Sequence, residues 1–397
     1  MARPLSLSLV NAVFGLSLTF GVSACEPGPT VPPDAGDETP DESLDGTTLS
    51  GQGPGMAELT GVGADPEVVA AERLLAQGKT RDALETIDAA IVQRPEHARY
   101  HYVRGNILSH LERDDDARAA HLQAIDLDET DALPHAALGN LRGLQPGATP
   151  ADKRAAIDHY QVALHLDPEL ATAHLSLGVV LLDLGRFEQA AEALENADRL
   201  AASVDTAYTL AQVYARLGDN TKAVAHVESA LEFEPDASGA DIRLLYARLL
   251  LKAGRDEDAA REFERTAKLV PRSPPLRLEV ARGLLDLGRA EAAMVHLEWL
   301  LSVVPDEAPV LVNFGRALIE IGEPEKAILQ LDAALERAPG SQAAAVYRIQ
   351  ALAAAGECRK AQKGISALST QLHQRDGDPA PRAVVKARRL LEASGCK

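Results

Sequence analysis

From residue 64 onward, small and bulky apolar positions recur among polar ones with a period near 34 residues. Alanine marks the period best, at Ala83, Ala117, Ala156, Ala190, Ala223, Ala259, Ala293, Ala327 and Ala361. Twelve residues earlier stands a second small residue, as at Ala71, Gly105, Gly178, Ala211, Ala247, Ala281 and Gly315. Four residues after the alanine comes a bulky one: Ile87, Tyr160, Leu194, Val227, Phe263, Leu297, Leu331 or Ile365. His121 is the odd member of that column.

Two further columns punctuate each period. Glycine sits five residues before the alanine in seven units, at Gly78, Gly185, Gly218, Gly254, Gly288, Gly322 and Gly356. A glycine there ends a helix in a left-handed turn. Proline usually follows the alanine by twelve residues, as at Pro95, Pro168, Pro235, Pro271, Pro305 and Pro339, where it breaks a second helix. The small residues allow the two helices of a hairpin to cross closely. The pattern predicts nine helical hairpins over 64–375. The third carries extra residues between its helices, Gly143 to Pro150, read as a tolerated loop. The ninth loses the pattern after Ile365, and a helix over about 380–394, within a terminal segment 376–397, is predicted to cap the open end.

These columns resemble the tetratricopeptide repeat, L-G-x-x-Y, then A-x-x-x-F, then P, within 34 residues. Leu177-Gly178-Val179-Val180-Leu181 and Leu231-Glu232-Phe233-Glu234-Pro235 match it well. The consensus early tryptophan is absent, and its slots hold His101, His135, His174, Leu311 and others. The resemblance implies an all-α solenoid, a right-handed superhelix of about nine hairpins that binds other proteins or peptide segments. It also implies that the first helix of each hairpin lines a groove. At the ninth position of each unit stand Glu72, Asn106, Asn140, Val179, Gln212, Arg248, Arg282, Arg316 and Gln350. By that resemblance Asn106 and Asn140 would bond the backbone of an extended peptide, and Tyr102 and Tyr208, at position 5, would offer apolar faces. Arginine forks suit carboxylates. Arg248, Arg282 and Arg316 therefore either take an acidic or C-terminal segment of a partner, or pair with Asp241, Asp286, Glu320 and their neighbours on the same wall.

The N-terminus reads as an address. Arg3 precedes an apolar stretch from Leu5 to about Val22, and the small residues Ser23 and Ala24 precede Cys25. Residues 1–24 are expected to be a signal peptide. Val22-Ser23-Ala24-Cys25 resembles the bacterial lipobox, which implies that Cys25 is lipidated and that the chain is anchored by acyl chains alone. The competing reading is an uncleaved membrane anchor, though the stretch is barely long enough to span and carries Asn11 and several serines. Glu26 follows the cysteine, which by the same resemblance leans towards the outer membrane, facing the periplasm. Residues 26–63 hold eight acids and no Lys or Arg, with Pro, Gly, Ser and Thr filling most of the rest. With Cys25 they are expected to form a disordered tether.

Charge excludes other partners. Forty basic residues stand against 59 acidic ones, a formal charge of −19. A nucleic-acid binder needs a basic face to release counterions, and spreading on an anionic membrane needs one too. Eight of the eleven histidines fall between His97 and His174, without the Cys or Glu pattern of a zinc site. No metal, cofactor or catalytic residue is expected. After lipidation Cys358 and Cys396 remain, an even pair outside the cytoplasm, which suggests a disulfide stapling the cap to the ninth hairpin rather than two free thiols. By resemblance to tetratricopeptide lipoproteins, the function expected is a scaffold for assembling an envelope complex, of the pilus, secretion or outer-membrane biogenesis type. Alternatives are a subunit or enzyme-associated factor in polysaccharide or peptidoglycan processing, and a self-assembling structural protein.

Overall fold

The computed structural model describes residues 65–233, 239–376 and 382–396, apart from the side chains of 373–376. The N-terminal apolar stretch, Cys25, the acidic segment 26–63 and Pro235 lie outside the described residues. The chain divides into two units, Met1–Leu200 and Ala201–Lys397.

All described regular structure is helical. The first unit holds four hairpins: α1 (Pro66–Ala76) with α2 (Thr80–Gln93), α3 (Ala98–His110) with α4 (Asp114–Leu127), α5 (Ala132–Gly143) with α6 (Pro150–Leu166), and α7 (Ala171–Asp183) with α8 (Phe187–Leu200). The second holds five and a final helix: α9 (Val204–Leu217) with α10 (Asn220–Phe233), α11 (Ala240–Lys252) with α12 (Asp256–Leu269), α13 (Pro274–Asp286) with α14 (Ala290–Val303), α15 (Ala308–Glu320) with α16 (Pro324–Arg337), α17 (Gln342–Ala354) with α18 (Cys358–Asp376), then α19 (Arg382–Ala393). Within each unit, first helices touch the first helices of the next hairpin. Second helices, among the described residues, do not touch one another. The first-helix side of each stack is therefore the tighter, inner side.

Each sequence column has a packing role. All nine marker alanines are fully buried. The bulky residue four positions on reaches across the hairpin onto the small residue of the first helix. A Cβ added at Gly178 would sit 2.4 Å from Leu194 Cγ, and one at Gly315 would sit 2.6 Å from Leu331 Cγ. Glycine is required there by space. In the second hairpin the same contact is made by His121 on Gly105, where an added Cβ would sit 2.4 Å from His121 Cε1. His121 is fully buried, and neither ring nitrogen has a hydrogen-bond partner. Burial without a partner favours the neutral ring and lowers its pKa from 6.5 to about 4.

The glycine column takes positive φ throughout, from +69° at Gly288 to +85° at Gly322. The residue after it donates its N–H back to the carbonyl five positions earlier, as Lys79 to Leu74 (2.9 Å) and Glu323 to Leu318 (2.8 Å). This backbone bond satisfies a carbonyl at the helix end. The second hairpin places Glu112 in that slot, at φ 58°, the one non-glycine residue with positive φ among those described. The extra residues of the third hairpin do more than loop out. Thr149 caps α6, accepting from the Asp152 N–H (3.2 Å) while Asp152 accepts from the Thr149 N–H (3.1 Å), so the helix starts early and runs 17 residues.

Two of the tryptophan slots have a definite use. His101 Nε2 donates to the Pro95 carbonyl (2.7 Å) and His174 Nε2 to the Pro168 carbonyl (3.0 Å). Each clamps the loop that precedes its own helix. At the far end α19 packs on α17 and α18, burying Val384, Ala387 and Leu391. Cys358 and Cys396 are joined, with Cα atoms 5.2 Å apart across a separation of 38 residues.

Candidate protein-binding face

The inner side of each unit displays position 9 of most of its first helices, whereas Val68, Leu244, Val312 and Val346 at position 5, and Val179 at position 9, are buried. In the first unit Tyr102 and Asn106 lie one turn apart on α3, and the Asn106 carboxamide interacts with the Tyr102 hydroxyl. The Arg99 guanidinium lies 4.8 Å from the centre of the Tyr102 ring and 3.8 Å from the Glu72 carboxylate. Burial pushes the Tyr102 hydroxyl pKa up, so the group stays a neutral donor. Asn140 is exposed, and its Oδ1 accepts from the buried Tyr160 hydroxyl at 2.8 Å. That bond holds the carboxamide in one orientation. Its nitrogen makes no hydrogen bond to a described residue, so it faces outward as a fixed donor.

In the second unit Tyr208 is half-buried on α9 and hydrogen-bonded to Gln212. Burial first, then the Asp241 carboxylate, raises its pKa. The three arginines do not stand as an unpaired stripe. Arg248 on α11 pairs with Glu279 on α13, and Arg282 Nη1 bonds the other oxygen of the same carboxylate at 2.7 Å. Arg316 bonds Asp286 (2.7 Å), Glu320 (2.9 Å) and the Leu285 carbonyl (2.8 Å). Asp286 and Glu320 were readable partners from the sequence. Glu279 was not singled out, although its i,i+3 spacing to Arg282 was a usable signal.

The three pairings are unequal. Arg316 has filled its fork and its side chain is 19% exposed. Arg248 and Arg282 share one carboxylate and remain 45% and 41% exposed. Two guanidiniums on one carboxylate leave unused N–H donors, although the Asp241 carboxylate also interacts electrostatically with Arg248. A further carboxylate could bind there bidentately without stripping Glu279. Chemically this face can hold peptide and carboxylate groups. Among the described residues it presents no cluster of groups that would hold a metal.

Tetratricopeptide repeat patterns match residues 68–132, 151–204 and 208–274, and a second such pattern matches residues 284–353. The chain belongs to the tetratricopeptide repeat family. A search of curated proteins found no match. Among solved structures it is similar to the APC/C hetero-tetramer Cut9–Hcn1, with 16% identity over 75% of this chain and 57% of that chain, at a TM-score of 0.51. This chain thus spans little more than half the length of that relative, and the likeness shows the fold alone. PilF of Pseudomonas aeruginosa is 19% identical over 55% of this chain and 96% of its own, at a TM-score of 0.46. YrrB, described as having an unusual peptide-binding site, is 22% identical over 57% of this chain and 96% of its own, at a TM-score of 0.36.

Proposed function

We propose that this protein is a binding scaffold tethered to the bacterial envelope through lipidated Cys25, and that it grips an acidic or C-terminal segment of a protein partner on the inner side of its second unit. The observation that carries the binding half is the shared carboxylate. Arg248 and Arg282 point two half-exposed guanidiniums at one glutamate, on adjacent inner helices. In the first unit, Asn106 and the fixed Asn140 amide supply donors for a peptide backbone, and the Tyr102 ring supplies a flat apolar face. The lipobox resemblance of Val22 to Cys25 supports the tether and an outer-membrane address facing the periplasm. It also supports a role in assembling an envelope complex. Binding of this kind requires no catalytic group, metal or cofactor.

The test is capture in intact cells. A photo-crosslinking residue at Gln212 or Gln350 is expected to trap a discrete partner. Changing Arg248 and Arg282 together to Ala should cut that capture at least tenfold, about 1.4 kcal/mol of affinity. Unchanged capture in the double variant would end the carboxylate reading. Separately, Cys25→Ala is expected to move the protein from the membrane fraction to the soluble periplasm, and retention in the membrane would refute lipid anchoring.

A further inference from the structure

The positions on either side of the marker alanine are filled in most hairpins and empty at one junction. The residue after the marker is long or branched except at Ala191 and Ala260, and the residue before it is charged or amide-bearing except at Ala155 and Ala292. Only from the sixth hairpin to the seventh do both columns hold alanine in succession, Ala260 and then Ala292. Second helices of neighbouring hairpins do not touch among the described residues. At this junction the gap between α12 and α14 deepens into a cleft of about 310 Å³, with Ala260, Leu284 and Ala292 as its apolar lining. That volume falls at the lower end of binding pockets, roughly 300–1,000 Å³. Ala260 and Leu284 are buried and form the base, and Ala292 is half-buried.

The groups left free at the rim are cationic. Along α12, Arg261, Arg265 and Lys268 stand at i, i+4 and i+7 and line the cleft. All three are exposed. Arg261 shares the Asp258 carboxylate with Arg255. Arg265 Nη1 bonds Glu262 at 2.6 Å, and Arg243 takes the other oxygen of that buried carboxylate at 3.1 Å. Each rim arginine is thus held by one terminal nitrogen and keeps N–H donors for another acceptor. Lys268 makes no ion pair with a described residue. The two acids that line the cleft face residues of the opposite wall. Glu257 pairs with Arg289, and Glu264 Oε1 lies 3.6 Å from His296 Nε2.

We infer that this cleft takes an acidic amphipathic helix of a protein partner. One large apolar side chain seats over Ala260, Leu284 and Ala292, and carboxylates a turn to either side reach Arg261, Arg265 and Lys268. The lining from Glu257 to Lys268 runs for about 16 Å, eleven residue steps of about 1.5 Å, which matches three turns of a helix laid in a groove. A buried apolar anchor ringed by polar contacts is the arrangement that concentrates binding energy. At physiological salt, charges beyond about 8 Å are largely screened. The rim cations, rather than the net charge of the whole chain, therefore set the field that an arriving carboxylate meets. The cleft opens on the second-helix side and uses neither Arg248 nor Arg282, so it stands apart from the inner-face reading.

The full chain tests this by fluorescence anisotropy with a labelled helical peptide that carries a single Trp and a Glu one turn to each side. Saturable binding is expected, weakened at least about tenfold when the peptide's Trp is replaced by Ala or its glutamates by Lys. Ala292→Gln fills the cleft with the residue that Gln189 supplies in the fourth hairpin, and should weaken binding by a similar factor. Arg265→Gln with Lys268→Gln should weaken it about threefold and flatten its salt dependence. Arg248→Ala with Arg282→Ala should leave it unchanged; loss of binding there would put the peptide on the inner face and overturn the cleft. On the unaltered chain the peptide should slow hydrogen exchange in α12 and α14, and that measurement decides the matter if a variant misfolds. No saturable binding, equal affinity for the acidic and basic peptides, or undiminished binding by Ala292→Gln would overturn the inference. So would dimerisation of the chain in light scattering that Ala292→Gln abolished, because the cleft would then hold a second copy.

Discussion

The second and eighth hairpins are built on the same columns and differ in what fills them. In the eighth, Leu331 packs over Gly315, and Gly322 makes the turn. In the second, His121 packs over Gly105 with both ring nitrogens unsatisfied, and Glu112 is held in the left-handed region. The backbone architecture is the same in both. The repeat tolerates a polar ring and a strained turn because neighbouring hairpins supply enough packing to impose the fold. The comparison teaches that the second hairpin carries local instability that the eighth does not. The second unit carries a staple, the Cys358–Cys396 bond, that the first unit lacks.

The largest effect should come from that staple. Closing a loop of 38 residues is worth roughly 4 kcal/mol by chain entropy. Reduction, or Cys396→Ser, is expected to raise hydrogen exchange in α19 and the end of α18 while leaving the first unit unchanged. Equal exchange before and after reduction would show that the cap is held by packing alone.

Next in size is the pair of column substitutions. Leu331→Ala should cost about 2–5 kcal/mol, because it opens a cavity against Gly315. His121→Leu should instead stabilise the second hairpin by about 1–3 kcal/mol. It copies the Leu–Gly contact of the eighth hairpin and removes a buried polar ring that has no partner. Urea titration followed by residue-resolved exchange distinguishes the two. A destabilised His121→Leu would mean that the ring nitrogens are satisfied after all.

The same histidine sets a pH dependence. Its folded pKa lies near 4 and its unfolded value near 6.5. The unfolded chain therefore binds the proton first as pH falls. No stability is lost above 6.5. Loss accumulates from 6.5 down towards 4, with a ceiling of about 3 kcal/mol. Burial lowers His110, His135 and His159 as well, all in the first unit, and their losses run in the same direction. In the second unit the His296 pKa is lowered too, by burial opposed by Glu264. Acid should therefore open the first unit before the second, and His121→Leu should flatten the slope. Simultaneous opening of both units at pH 5 would contradict this.

The smallest effect is at the turn. Glu112→Gly should stabilise by about 1 kcal/mol, since a non-glycine residue in the left-handed region costs roughly 1–2 kcal/mol. A thermal melt with no upward shift would show that the Glu112 side chain compensates for its backbone.

Much of the fold was legible in advance, for a local reason. A hairpin needs a small residue at each close approach, a left-handed turn and a helix breaker. Those needs are met by residue types at fixed spacing, so Ala83 to Ala361 and Gly78 to Gly356 could be read directly. The histidines of the tryptophan column were legible as positions but not as loop clamps, because the proline carbonyls they bond lie six residues upstream. The inner face was legible as a list, Asn106, Asn140, Arg248, Arg282 and Arg316, but not as an arrangement. Whether an arginine is spent depends on which carboxylate stands within reach on the next hairpin, and stacking decides that.

The sequence by itself therefore determined the helices, their turns, their order and the residues that pack between them, since each is a local demand repeated nine times. Tertiary structure alone decided that Arg316 is saturated while Arg248 and Arg282 share a single glutamate. It also decided that His121 packs over Gly105 with neither ring nitrogen partnered. Charge and hydrogen bonding depend on distances across hairpins, and those exist only once the hairpins have stacked.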